Sequence, residues 1–164
     1  MILTCRLATP DDFPAIQQML ELYQYELSDI WPQETDSACR YGYDLTRHRA
    51  GSRSHAYVAL IGNAYAGVAL VAPAAVTRSE GHWMEQFFVL KAHRRHQVGQ
   101  RLAGFVFASH PGPWEVGQMF ANQAAQAFWR KVIPGFGEQG YVELQVTEGW
   151  WQGVVQQFNA KAAG

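Results

Sequence analysis

An apolar run that ends in a basic loop ahead of a glycine constrains the fold of this chain more than any other feature. Residues 87–90 read Phe-Phe-Val-Leu, residues 91–96 read Lys-Ala-His-Arg-Arg-His, and Gly99 opens an amphipathic segment. This order predicts a strand, a turn and then a helix. A turn and a helix N-terminus present backbone N–H groups that lack partners, and the helix dipole adds positive potential. The stretch therefore predicts an anion-binding loop suited to a diphosphate.

This loop resembles the coenzyme A loop of the GCN5-related N-acetyltransferases, the GNAT family. The family pattern is Arg or Gln, two residues, Gly, one residue, and then Gly or Ala. Here Arg94, Gln97 and Gly99 occupy the three positions. Gln97 replaces the first glycine, and glutamine resists backbone dihedral angles that glycine tolerates. The local backbone geometry at this position is therefore an open question for the sequence.

A second segment is also similar to the family. Asn122 begins a predicted helix, Ala125 follows three positions later, Phe128-Trp129 forms an aromatic pair, and Gly135-Phe136 closes the element. Together the two segments extend the resemblance over most of the chain. It implies an α/β (α+β) fold with a central mixed, mostly antiparallel twisted sheet flanked by helices. It also implies a splayed pair of strands that forms an acetyl-CoA cleft, all within one N-acetyltransferase domain over residues 1–164.

Hydrophobic periodicity places the elements. Phe13, Ile16, Leu20 and Tyr23 recur at helical spacing after Thr9-Pro10, which predicts a first helix. Strands are predicted over 2–7, 55–61, 65–72, 82–90, 114–120, 141–147 and 154–158, with a tight turn at 62–63 and a final hairpin. The helix after Gly99 is expected to bury Val98, Leu102, Phe105 and Val106 on one face.

Composition and charge exclude several classes of protein. The 164 residues are 48% hydrophobic, and 13 basic side chains are balanced by 14 acidic ones. A near-neutral chain has no broad field for nucleic acid or a membrane surface, so neither partner is expected. No window is long and apolar enough for a membrane span, and no leader-like segment opens the sequence, so a cytoplasmic protein is expected.

The resemblance implies acetyl-CoA as the acyl-donor co-substrate. It assigns cofactor contacts to the end of one strand, the loop and the later helix: Phe87, Phe88, Val89, Arg94, Arg95, His96, Gln97, Val98, Gly99, Gln100, Asn122 and Phe128. Two of these residues also suit purely structural roles. An Asn at a helix start also serves as an N-cap, and Phe128 also serves as a core residue.

Glu85 is the candidate general base, because the family often has an acidic residue at this place on the strand. An acceptor amine must be neutral to attack, and a nearby carboxylate takes its proton directly or through water. A solvent-facing strand glutamate is the alternative. The family commonly has a tyrosine in the aromatic pair of the later helix to protonate the leaving thiolate, whereas this chain has Phe128-Trp129.

The acceptor is expected to be a primary amine of a small molecule or peptide. Tyr23, Tyr25, Asp29 and Trp31 lie at the end of the first helix, near Glu26, and aromatic faces with carboxylates suit a cation. The same residues equally suit packing and surface roles. A small amine or aminoglycoside, an amino acid and a protein N-terminus all stay open.

Metal chemistry is not expected. His93 and His96 lie three residues apart inside the proposed loop, without an obvious third ligand, and the two cysteines are far apart in sequence. Trp150 and Trp151 allow a homodimer through the last hairpin or, equally, a small satellite core. A non-catalytic module that binds acetyl-CoA as a sensor is the alternative to an enzyme, supported by Gln97 and by the missing tyrosine.

Overall fold

A computed structural model describes residues 2–163, which contain seven strands and four α-helices. The strands are β1 Leu3–Leu7, β2 His55–Ile61, β3 Ala64–Pro73, β4 His82–Val89, β5 Gly112–Gln118, β6 Val142–Val146 and β7 Gly153–Ala160. The helices are α1 Phe13–Glu26, α2 Thr46–Ala50, α3 Val98–Ser109 and α4 Gln123–Val132. Short 3₁₀ turns occupy Pro10–Asp12, Lys91–His93 and Ile133–Gly135.

Within residues 2–163 the seven strands form one sheet in the order β1-β2-β3-β4-β5-β7-β6. β1 pairs with β2, β5 with β7 and β6 with β7 in antiparallel fashion. β4 and β5 run parallel, in the register His82–Trp114 and Trp83–Glu115. The expected mixed, mostly antiparallel sheet with flanking helices is confirmed.

All seven predicted strands lie within two residues of their observed bounds, and β5 is shifted by two residues toward the N-terminus. The sequence predicted this strand at 114–120, but it pairs with β7 from Gly112–Ala160 to Gln118–Val154. Phe120 lies beyond the strand and is exposed. The turn between β2 and β3 is as predicted, and Gly62 has a φ of +60°, where glycine avoids the Cβ clash.

The chain folds as two compact units, the first comprising Met1–Leu70 and Gln86–Leu102 and the second Val71–Glu85 and Ala103–Gly164. A single domain over 1–164 stays a prediction. In the first unit α1 buries the predicted residues Phe13, Ile16 and Leu20, together with Met19. Their partners in this core come from the strands and the segment before α2: Leu45, Ala56, Val58, Val68, Leu70 and Phe88.

The buried carboxylate of Asp12 fixes the start of α1 in the first unit. Its two oxygens accept hydrogen bonds from the Arg6 guanidinium at 2.6 and 2.9 Å, from the Tyr65 hydroxyl at 2.6 Å and from the Thr9 backbone N–H at 2.7 Å. The Arg6 hydrogen bonds are the largest cause that lowers the pKa of Asp12, and Tyr65 and Thr9 lower it further. One side chain thereby joins β1, β3 and the helix start.

The buried face of α3 differs from the prediction. Val98, Leu102 and Val106 are buried as expected, whereas Phe105 is 40% exposed. Ala103 and Phe107 are buried as well, at 0% and 1% exposure. The buried arc is therefore centred between Leu102 and Phe107, and Phe105 lies at its edge because successive helix positions are 100° apart.

Aromatic rings form the core of the second unit. Phe107 lies at its centre, with its ring centroid 4.9 Å from Trp114, 5.0 Å from Phe158 and 6.0 Å from Trp129. Trp114 is fully buried, and its indole N–H donates to the His110 carbonyl at 2.7 Å. A buried indole needs such an acceptor. Phe107 on α3 thus packs through ring contacts against β5, β7 and α4.

A fully buried carboxylate, Glu115 on β5, holds the loop between β3 and β4. It accepts the backbone N–H groups of Ala75, Val76 and Thr77 at 2.7–2.8 Å and the Thr77 hydroxyl at 2.7 Å. These donors replace the water that the carboxylate loses on burial. The loop is therefore ordered by a side chain that lies 40 residues along the chain from Ala75.

Replacing Asp12 with Asn is expected to lower the free energy of unfolding by about 2 kcal/mol at neutral pH, because a buried charge-assisted network loses its acceptor. Because the pKa of Asp12 is lowered in the folded state, its stabilisation is present above the ordinary carboxyl value of about 4 and is lost as the pH falls below it. Urea unfolding from pH 7 to pH 3 measures both effects. The Asp12→Asn variant should show a flatter pH dependence than wild type.

Asp11→Asn is the matched control, because Asp11 lies in the same turn but is exposed. Its stability should stay within about 0.5 kcal/mol of wild type. Equal losses in the two variants would contradict the assignment of this network to Asp12.

Candidate functional site

The basic loop between β4 and α3 adopts an unusual backbone. After the 3₁₀ turn Lys91–His93, Arg95 has a φ of +70° and Gln97 a φ of +62°. The Gln97 carbonyl then accepts the Arg101 N–H at 3.0 Å, which starts α3. Left-handed residues next to a helix start turn successive N–H groups toward one side of the chain, a geometry that favours anions. The loop thus has the backbone of an anion-binding turn.

The conformation of Gln97 answers the question left by the sequence. Its φ lies in the left-handed region that glycine favours, so Gln97 adopts a glycine-type backbone conformation at this position. The Gln97 side chain is exposed. A non-glycine residue in this region costs about 1 kcal/mol or more. The loop carries this cost twice, since Arg95 adopts the same conformation.

Arg94, the first residue of the loop pattern, already has an acidic partner. Its guanidinium makes a bidentate ion pair with Glu26 at 2.8 and 2.9 Å, and its Nε donates to the Val89 carbonyl at 2.8 Å. It also lies 5.5 Å from the centroid of the Phe88 ring. The Arg94 charge is therefore balanced by Glu26, and the side chain joins the end of β4 to the end of α1.

A cavity of about 470 Å³ opens between the end of α1 and the end of β4 in the first unit. Its lining combines apolar, aromatic and charged side chains: Leu22, Tyr25, Glu26, Ser28, Asp29, Phe88, Leu90 and Lys91. This volume suits a small organic ligand. Of the predicted acceptor residues, Tyr25 and Asp29 line this cavity, and Tyr23 and Trp31 do not.

Tyr23 instead packs against Phe88, which is one of the residues that line the cavity. Its ring centroid lies 5.0 Å from that of Phe88, and burial raises the pKa of Tyr23 to about 12, helped by the nearby Glu26 carboxylate. Its hydroxyl therefore stays neutral at physiological pH. Trp31 is 41% exposed, and its carbonyl accepts a hydrogen bond from Gln24 at 3.3 Å. Neither ring is placed against the cavity.

Sequence reasoning missed Lys91 and Leu22 as lining residues. The sequence places Lys91 only in the basic loop, yet its ammonium lies 3.8 Å from the Glu26 carboxylate. Leu22 is 45% exposed although it lies on a helix with a regular apolar face. The sequence did contain a signal for Leu22 as a lining residue. It is an apolar residue outside the core face of α1, and Tyr25 and Glu26 follow it on the same helix.

The second unit contains Glu85, the candidate base, in the middle of β4. Its side chain is half-buried, and its Oε2 atom is buried. Trp83 lies two residues earlier on the same face of the strand and packs edge-on against Trp151, with ring centroids 5.2 Å apart. Gly117 makes room for both indoles, since a Cβ there would lie 2.4 Å from Trp83 and 2.6 Å from Trp151.

Two further predicted cofactor residues lie on α4 in the second unit. Asn122 caps the helix, its side-chain oxygen accepting the Ala125 N–H at 3.2 Å. Phe128 is half-buried and lies 4.9 Å from the Trp129 ring, which is itself buried. Capping and core packing, the alternatives that the sequence left open, are therefore present, and cofactor contacts by these residues stay predictions.

The sequence model of the acetyltransferase (GNAT) family matches residues 16–133, well over half of the chain, including the loop and most of α4. The chain belongs to the GNAT acetyltransferase family. The resemblance carried by Arg94, Gly99 and Asn122 is thereby confirmed. No curated protein matches this GNAT chain.

Solved GNAT structures share the fold. An acetyltransferase of the GNAT family from Staphylococcus aureus Mu50 aligns over 98% of this chain and 100% of its own, with a TM-score of 0.67 and 10% identity. The aminoglycoside acetyltransferase meta-AAC0020 from an uncultured soil metagenomic sample, solved with sisomicin, aligns over 92% and 95%, with a TM-score of 0.63 and 18% identity. The ribosomal-protein-S18-alanine N-acetyltransferase from Escherichia coli aligns over 99% and 97%, with a TM-score of 0.64 and 12% identity. At these identities the likeness concerns the fold and not the acceptor.

Two other properties concern the described part of the chain. Among residues 2–163 no helix is both long and apolar enough to cross a membrane. Over the same range, no three or more His, Cys, Asp or Glu side chains are grouped so that they hold a metal ion.

Replacing Gln97 with Gly is expected to leave the free energy of unfolding unchanged or raise it by up to about 1 kcal/mol. Glycine relieves the left-handed strain of the folded state, and this gain equals or exceeds the loss from the entropy that glycine adds to the unfolded chain. Gln97→Val is the matched comparison, since a β-branched residue resists this backbone conformation most. It should lower the free energy of unfolding by about 1 kcal/mol or more. Urea unfolding of both variants tests the loop geometry, and a less stable glycine variant would contradict it.

Proposed function

We propose that this protein is an acetyl-CoA-dependent N-acetyltransferase that moves an acetyl group to a primary amine of a small molecule or peptide. The observation that carries the proposal is the loop from Arg94 to Gly99, where two left-handed residues lead a basic chain into a helix N-terminus. The family membership of the chain supports the same activity.

The loop residues fit a diphosphate group. Backbone N–H groups from Arg95 to Gln100 include the first turn of α3, whose N–H groups have no partner within the helix. Arg95 and His96 are exposed, so their side chains are accessible to add charge. Gly99 keeps the approach to the backbone open. Arg94 contributes by fixing the loop rather than by offering its charge, because Glu26 neutralises it.

The donor supplies an activated acetyl thioester when bound. Phe87, Phe88 and Val89 form the end of β4, and their backbone groups are the proposed partners of the amide-bearing arm. The Val89 carbonyl already accepts from Arg94, which leaves its N–H as the proposed oxyanion donor. Asn122 and Phe128 are proposed contacts on the second unit.

Glu85 is proposed as the base that prepares the acceptor amine. An alkylamine has a pKa of about 10, so roughly one molecule in a thousand is neutral at pH 7. Transfer of one proton from the amine to Glu85 frees the nitrogen lone pair. The new N–C bond then forms as the thioester C–S bond breaks. The nitrogen gives up its second proton to water, and the departing sulfur takes up one proton, which leaves the amide and the free thiol.

The departing thiolate needs no dedicated acid. The aromatic pair of α4 is Phe128-Trp129, and an indole is not a practical proton donor to sulfur. A thiol with a pKa of about 8.5 is an adequate leaving group when water protonates it. The proposed reaction is therefore compatible with Phe128-Trp129 at this place, where the family commonly has a tyrosine. A cytoplasmic location and a homodimer stay predictions.

Gly99→Glu is expected to abolish measurable acetyl-CoA binding, because the added carboxylate repels the diphosphate and its side chain blocks the helix N-terminus. Calorimetric titration with acetyl-CoA measures the loss. Gly135→Glu is the matched control, since a Cβ at Gly135 meets no atom within 4 Å. This control should bind like wild type. Unchanged affinity in Gly99→Glu would overturn the loop assignment.

Glu85→Gln is expected to lower kcat by about 10²-fold or more while acetyl-CoA affinity stays within twofold, because a base is lost but the loop is intact. Thiol release with a panel of amines measures turnover. Glu80→Gln, at an exposed position, is the matched control and should retain full activity. Cofactor binding without thiol release from any amine in wild type would favour the non-catalytic sensor instead.

A further inference from the structure

Opposite charges lie side by side at the cavity between α1 and β4. The Lys91 ammonium is 3.8 Å from Glu26 Oε1, which is too long for a hydrogen bond. The Lys91 side chain is 78% exposed, whereas that of Glu26 is 27% exposed. The Lys91 ammonium therefore keeps the capacity to bond a ligand. Each Glu26 oxygen accepts one hydrogen bond from Arg94, and a carboxylate oxygen has room for a second donor. A negative and a positive group this close form a dipole at the cavity wall.

The charges at this cavity sum to zero. Glu26 and Asp29 carry two negative charges, while Lys91 and the Arg94 side chain that pairs with Glu26 carry two positive ones. A polycation gains little Coulombic energy from such a site and loses hydration on entering it. A ligand with one positive and one negative group matches both signs.

The remaining lining is mostly apolar, and the hydroxyl of its polar member, Ser28, already donates to the Tyr25 carbonyl at 2.6 Å. Phe88 and Leu90 form the wall from the end of β4, and Leu22 and Tyr25 come from α1. Leu22 and Tyr25 are 45% and 72% exposed, so this part of α1 leaves apolar surface uncovered. Covering it with an apolar group stabilises a complex in proportion to the area removed from water.

We propose that this cavity binds an α-amino acid with an apolar side chain as the acceptor. Lys91 binds its carboxylate, Glu26 and Asp29 attract its ammonium, and Leu22, Phe88 and Leu90 surround its side chain. In an α-amino acid the two charged groups share one carbon, which matches the short separation of Lys91 and Glu26. The inference rests on the proposed function, for which it names the acceptor class.

An isotope-edited NMR titration tests the binding directly, without turnover. L-leucine and L-leucinamide differ only in the carboxylate, and each is titrated with and without saturating coenzyme A. We expect wild type to bind leucine at least tenfold more tightly than leucinamide, because a charge-assisted hydrogen bond is lost in the amide. Lys91→Ala should remove this difference, and Lys131→Ala, at an exposed position on α4, should preserve it.

Three results would overturn the inference: no leucine binding, leucinamide binding at least as tight as leucine binding in wild type, or a preference that Lys91→Ala leaves intact. The titration separates the carboxylate contact from loss of folding, because Lys91→Ala should still bind leucinamide as wild type does.

A turnover assay separates this inference from the proposed function. Acetyl-CoA is supplied with leucine, leucinamide, spermidine or kanamycin, and thiol release is followed. We expect kcat/KM to be highest for leucine and to fall about tenfold or more in Lys91→Ala. Preferred acetylation of spermidine or kanamycin would overturn the amino-acid inference and leave the proposed function standing. Lys91-dependent leucine binding without thiol release from any amine would support the amino-acid site and overturn the proposed function.

Discussion

The guanidinium of Arg94 organises the part of the first unit that carries the proposed chemistry. One side chain contacts the Val89 carbonyl at the end of β4, the Phe88 ring and both oxygens of Glu26. Glu26 is the last residue of α1, where the helix dipole is negative and a carboxylate is unfavourable by itself. Arg94 and Lys91 offset that cost. The ion pair therefore stabilises the helix end, closes the loop and shapes the cavity at the same time.

This arrangement changes the source of the positive potential in the loop. With the Arg94 charge balanced, a bound anion depends on backbone N–H groups and on the exposed side chains Arg95 and His96. The left-handed conformations of Arg95 and Gln97 are then the features that orient those N–H groups. Because the fold meets the energy cost of these conformations, Gln97 keeps a left-handed backbone at a position where glycine is the unstrained residue.

Local sequence patterns predicted the fold well because they report on burial along one element. Alternating spacing placed β2, β3 and β4 within two residues, and helical spacing predicted α1, which begins at Phe13 after the 3₁₀ turn Pro10–Asp12. Interactions between distant residues left no such pattern. Arg94 and Glu26 are 68 residues apart, Tyr65 and Asp12 are 53 apart, and the buried Gln118–Gln156 amide pair is 38 apart. Within the sequence of its own helix, strand or loop, each of these polar side chains resembles a surface residue.

The same difference between local and distant contacts applies to the candidate site. The loop was predictable because its residues are contiguous, whereas the cavity was only half predicted because α1 and β4 meet through the ion pair. Glu26 serves both roles, since its carboxylate anchors Arg94 at 2.8 Å and faces Lys91 at 3.8 Å. A change at Glu26 that suited a different acceptor would also release the loop. Under the proposed acceptor role of the cavity, a change of acceptor is therefore easier at Leu22, Tyr25 and Asp29, which line the cavity without holding the loop.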